Sequence, residues 1–136
     1  MKMTMTAPCK RCPFRNDIRP YIREGRAREI ASGLTGGNAT FTCHETTVAV
    51  ERGDGESEMV NGPNAQHCAG ALIMLEHMAQ PTQLMRIYER TSGYDASKLN
   101  MAAPVYRSAR AFIAAHRRRQ RESSTSHSAG VRSRRR

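Results

Sequence analysis

Four cysteines are the residues of this chain whose type and spacing point most directly to chemistry. Cys9 and Cys12 are separated by two residues, Cys43 follows after thirty more, and Cys68 after a further twenty-four. Two intervening residues let both sulfurs of a Cys-x2-Cys pair face one ion, while the backbone N–H groups between them point at the thiolates. Cys43 and Cys68 would close a four-sulfur site. His44 and His67 each adjoin a lone cysteine and are candidate substitutes for a sulfur, although neighbours on a strand point to opposite sides. Zinc suits four thiolates, or three thiolates and one imidazole, and needs no assembly machinery. A 4Fe–4S cluster also takes four cysteines, and Pro13 directly after Cys12 matches the Cys-Pro of ferredoxin-type ligation. The residues favour zinc slightly and leave the cluster open. A redox dithiol at Cys9 and Cys12 is the competing reading.

Two charged neighbours bear on such a centre. Arg15 follows Cys12-Pro13-Phe14 and could balance the negative charge of four thiolates, or could be a surface cation with a solvated head. Glu45, beside His44, invites a general-base role, but a lone carboxylate next to a ligand is more often a surface group. No phosphate-binding glycine loop, His-Glu-x-x-His or Gly-x-Ser-x-Gly is present.

The elements that must position these residues follow from local pattern. Residues 1–7 read as a flexible lead and Pro8–Pro13 as a tight knuckle. Asp17 is placed to cap a helix from about Ile18 to Ser32, ended by Gly33. Residues 39–43 alternate small or polar with apolar and read as a short strand carrying Cys43. Thr46–Val50 is a second β-prone run, and residues 53–64 read as an exposed loop. Cys68 opens the strongest helix, Ala69–Met78, where the helix dipole favours its thiolate. A further helix starts at Pro81 and ends near Thr91, one short turn follows around Asp95, and a last helix spans Ala102 to about Arg117.

Composition bounds the rest. The chain has 136 residues, 38% hydrophobic, with no Trp and three Phe. That is one domain with a thin core, of the kind that needs a staple. No apolar run is long enough to cross a membrane and no secretory signal is evident, so a reducing cytoplasm is expected, where four cysteines favour metal over disulfides. The net charge of +10 is uneven. Residues 106–136 hold ten Arg and one Glu, whereas residues 1–105 hold twelve Lys or Arg and eleven Asp or Glu. Arg117, Arg118, Arg119 and Arg121, with Arg132, Arg134, Arg135 and Arg136, form a basic tail expected to be disordered alone. It would touch nucleic acid through phosphates, without reading sequence.

Three segments carry a resemblance: Pro8-Cys9-Lys10-Arg11-Cys12-Pro13-Phe14-Arg15, Phe41-Thr42-Cys43-His44, and Gln66-His67-Cys68-Ala69-Gly70-Ala71-Leu72. With Pro81–Tyr94 and the Ser97–Val105 stretch, they resemble a family of small phage, prophage and bacterial proteins of unassigned function. The resemblance spans most of residues 8–113. It implies that the cysteines act as a unit and that the protein works inside a bacterial host cell, and it supplies no activity.

These readings combine into an α+β fold: a small metal-stapled domain over residues 8–116, with a short β-hairpin and about four helices, and a disordered Arg-rich tail over 117–136. The expected function is that of a non-catalytic metal-binding module with a nucleic acid or a host protein as partner. The alternative is an iron–sulfur or thiol redox sensor or oxidoreductase, with enzymatic roles third.

Overall fold

The computed structural model describes residues 1–36 and 38–134, with side chains described as far as Glu122. Among the described residues the architecture is α+β, with four α-helices, two short 3-10 turns and one two-stranded antiparallel hairpin. The helices are α1 (Glu24–Thr35), α2 (Ala69–His77), α3 (Gln83–Arg90) and α4 (Ala109–Arg134), and the strands are β1 (Thr47–Glu51) and β2 (Ser57–Asn61).

The centre is α2. Its residues from Ala69 to Leu75 are all buried, and Leu72, Ile73, Met74 and Leu75 have no exposed surface. A helix apolar all round belongs inside a core rather than on its face. Around it pack Phe14 from the knuckle, Leu34 from α1, Met85 from α3 and Phe112 from α4. Phe14 stacks on Phe112 with ring centroids 4.8 Å apart and meets Phe41 edge-on at 5.3 Å. This aromatic trio ties the knuckle to both the Cys43 segment and α4, which itself packs on α1.

Several local expectations are corrected. Residues 1–7 are not a loose lead. Lys2 forms a parallel bridge with Gln66, the Asn100 N–H donates to the Thr6 carbonyl, and Met3 is buried. Such pairing is non-local and leaves no periodic mark in seven residues. Helix α1 begins at Glu24, not near residue 18, because Pro20 biases the residue before it away from helical geometry. Asp17 binds Arg15 instead of capping. The helix also runs past Gly33 to Thr35. A Cβ on Gly33 would lie 2.8 Å from that of Ala39, so the glycine serves the returning chain rather than the helix end.

The hairpin pairs β1 with β2, in register Val48 to Val60 and Val50 to Glu58. Its second strand lies in the stretch expected to be loop. Residues 39–43 form no strand; Thr42 makes an isolated bridge with His67. The last helix starts at Ala109, since residues around Val105 instead bridge Arg15 in extended form. Its backbone continues to Arg134, and the first turn of the expected tail belongs to the folded body. There Arg117 Nε contacts the Glu24 carboxylate at 2.7 Å and the Gln120 side chain accepts the Glu24 N–H. The side-chain roles expected for Arg132 and Arg134, and Arg135 and Arg136 altogether, lie outside the described residues. No helix among the described residues is long and apolar enough to cross a membrane.

Candidate metal centre

Three remote segments meet at the cysteines. The knuckle closes as a turn, with Cys12 N–H on the Cys9 carbonyl at 3.2 Å and Arg15 N–H on the Cys12 carbonyl at 3.1 Å. The Cys43 and Cys68 segments are laced together beside it: Cys43 N–H donates to Gln66 O at 2.8 Å, and Cys68 N–H to Phe41 O at 2.7 Å. Cys68 then occupies the N-cap position of α2, without a side-chain cap hydrogen bond.

The sulfurs form two close pairs. Cys12 Sγ lies 3.3 Å from Cys68 Sγ, a buried contact. Cys9 and Cys43 lie together with Glu45, their ligand atoms all within 4.8 Å of one another, close enough for these three residues to hold a metal ion. The four sulfurs do not all fall within 4.8 Å of one another; among the described residues only Cys9, Cys43 and Glu45 form such a group, and Cys12 and Cys68 lie outside it. All four cysteines are free thiols and all but Cys9 are buried.

Nearby backbone N–H groups favour the thiolates: that of Arg11 lowers Cys9, those of Phe14 and Gly70 lower Cys12, and that of Ala71 lowers Cys68, each against larger opposing or coupled influences. Hydrogen bonds of this kind stabilise a thiolate. In the free thiols the Cys12–Cys68 contact, in which either sulfur can donate, lowers Cys12 and, with burial next, raises Cys68. Burial, with Cys43 next in weight, pushes Cys9 up to about 12.

Gly70 explains why the Cys-Ala-Gly segment has its glycine. A Cβ there would stand 2.5 Å from Cys12 Sγ and 3.0 Å from Phe14 Cβ. Only glycine lets the knuckle sit directly on the first turn of α2. A glycine inside an otherwise strongly helical run is the sequence signal for this approach. Glu45 was legible only as a neighbour of His44. The 3-10 turn over His44–Thr46 brings it to Cys9 and Cys43.

The other candidates fall on both sides of the site. Arg15 bonds both oxygens of Asp17, at 2.8 and 2.7 Å, and its charge also lowers Cys12. His44 is exposed, with both ring nitrogens 4.0 Å from Cys9 Sγ. His67 is fully buried, and its ring nitrogens face the Phe41 N–H at 3.5 Å and the Cys68 carbonyl at 3.3 Å. Burial lowers its pKa, so it is a neutral ring bracing two backbone segments. Comparison with known proteins adds no relative: no family model, curated protein or solved structure matches the chain.

Proposed function

We propose that Cys9, Cys12, Cys43 and Cys68 together hold one structural zinc ion, and that the domain it clamps is a non-catalytic binding module. What supports this is the presence of two close sulfur pairs, Cys12 with Cys68 and Cys9 with Cys43, on three segments laced together by backbone hydrogen bonds. Tetrahedral zinc with bonds of about 2.3 Å needs sulfurs about 3.8 Å apart, and the Cys12–Cys68 separation of 3.3 Å is near that edge. A 4Fe–4S cluster sets each thiolate on a different iron and would hold them further apart. Four protein ligands leave no open position for water, which fits a staple better than a catalyst. In this reading Glu45 stays outside the ligand set, where its charge raises Cys9.

The ion would join segments that a thin core alone holds weakly, and its binding energy would be folding energy. The resemblance of the three cysteine segments to small phage and prophage proteins accords with the cysteines acting as a unit. Non-specific phosphate contact by the arginines beyond Arg117 belongs to the same proposal; Arg118 and Arg121 are exposed. Elemental analysis of protein purified without chelator tests the centre. One zinc per chain in a colourless protein is expected. A brown protein with a visible charge-transfer band would transfer the site to the iron–sulfur reading, and a metal-free folded protein would end both.

A further inference from the structure

Beside the cysteines lies an open groove of about 370 Å³, lined by Arg11, Pro13, Tyr21, Ile22, Phe41 and His44. Its walls come from the knuckle, from the segment leading into α1, and from the residues flanking Cys43. Tyr21 is the notable member. Its hydroxyl donates to the Arg11 carbonyl at 2.6 Å, which fixes the ring, yet the side chain remains 49% exposed. The Arg11 guanidinium carbon lies 5.9 Å from the ring centroid. An aromatic ring held in place by a hydrogen bond and left open is a stacking surface already ordered before anything binds.

Cations predominate on the knuckle and the segment leading into α1, against the exposed Glu45 beside His44 on the third wall. Residues 10–28 contain seven Lys or Arg against Asp17 and Glu24. Arg15, Arg26 and Arg28 have carboxylate partners in Asp17, Glu29 and Glu24. Lys10, Arg11, Arg19 and Arg23 are exposed and have no acidic partner among the described residues. Two of these cations sit on the knuckle and two bracket Tyr21-Ile22 in sequence. Aromatic rings combined with unpaired cations suit single-stranded nucleic acid, whose bases offer a free face and whose phosphates need neutralising. A duplex offers no unstacked base to such a groove.

We propose that this groove binds single-stranded nucleic acid, with a base against Tyr21 and the adjoining phosphates on Arg11 and its neighbouring cations. The site is separate from the basic tail, which has no aromatic residue. It rests on the zinc reading only in that Cys9, Cys12 and Cys43 would clamp two of the three walls.

The test uses the full chain and labelled oligo(dT) and oligo(rU) of about a dozen nucleotides, compared with a duplex of the same length, by fluorescence anisotropy at about 0.2 M salt, where tail contacts are weakened. Single strands should bind more tightly than the duplex. Tyr21→Ala should weaken single-strand binding about tenfold with its salt dependence unchanged, and Tyr21→Phe, which keeps the ring but loses the hydrogen bond that holds it, should fall between Ala and wild type. Arg11→Ala should reduce the salt slope by about one. Equal affinity for single and double strands, or equal affinity of Tyr21→Ala and wild type, overturns the proposal, as does a groove that responds only to an apolar peptide. NMR titration of the unmutated protein guards against a misfolded variant: the Tyr21, Phe41 and His44 ring signals must shift with oligo(dT), and their silence is equally fatal. Metal content is measured on the same samples. A zinc-free protein that still shows the Tyr21 effect would retain the groove and lose the zinc centre.

Discussion

Gly70 and Cys12 approach so closely that the first side-chain carbon of any other residue at position 70 would stand 2.5 Å from the Cys12 sulfur. The first turn of α2 and the knuckle are therefore one packed unit. Gly70→Ala should displace the knuckle and destabilise the protein by about 1–3 kcal/mol of overpacking, against a gain of about 1 kcal/mol in helix propensity. Chemical denaturation of the variant reads the balance. A net stabilisation would show that the close approach is not maintained in solution.

The ligand set is decided by substitution. Cys12→Ser, Cys43→Ser and Cys68→Ser should each weaken zinc binding by more than the roughly 10–100-fold that loss of an outer partner costs. Glu45→Gln should leave binding nearly unchanged. Chelator competition followed by metal analysis measures all four. If Glu45→Gln loses zinc and Cys68→Ser keeps it, the ion sits with Cys9, Cys43 and Glu45 instead.

Phe112 joins α4 to the cysteine knuckle through its stack on Phe14. Phe112→Ala empties a site with no exposed surface and should cost about 3–5 kcal/mol. Its effect should reach the N-terminal half as well as α4. Hydrogen exchange that accelerates only in α4 would contradict the coupling.

His116 makes acid sensitivity specific. It is fully buried, its Nδ1 donates to the Phe112 carbonyl at 2.8 Å, and its Nε2 has no partner among the described residues. Burial lowers its pKa below the ordinary 6.5. Its neutral form stabilises the fold above pH 6.5, and that contribution is lost as pH falls from there towards the depressed value. Urea midpoints at neutral pH and at about pH 5 should diverge less in His116→Leu than in wild type. An unchanged difference would assign the acid sensitivity to other groups.

What could be seen in the sequence was local. The unbroken apolar run Ala69–Leu75 announced α2, and the Cys-x2-Cys spacing announced a knuckle. Thr82 caps α3 through the Met85 N–H close to where Pro81 suggested a start. Strand β2 was hidden because Ser57-Glu58-Met59-Val60-Asn61 has one β-branched residue and no apolar face of its own; it pairs because β1 lies opposite. The bridge from Lys2 to Gln66, the extended pairing of Arg15 with Val105, and the arrival of Glu45 at Cys9 are also products of distant segments meeting. Periodicity carries no information about such meetings. The groove was not legible: residues 19–23 fall in the stretch expected to be helix, which in fact begins at Glu24, and Phe41 and Pro13 join Tyr21 only through the fold.

The stack of Phe14 on Phe112 bears on how the protein is born. Phe14 leaves the ribosome before its partner ring, which is made almost a hundred positions later. Cys12 must likewise await Cys68. Until synthesis is well advanced, the nascent chain holds reactive thiols and bare aromatic surface with nothing to cover them. Contacts this distant make for slow, late collapse, and an early supply of metal or a chaperone would matter most during that interval.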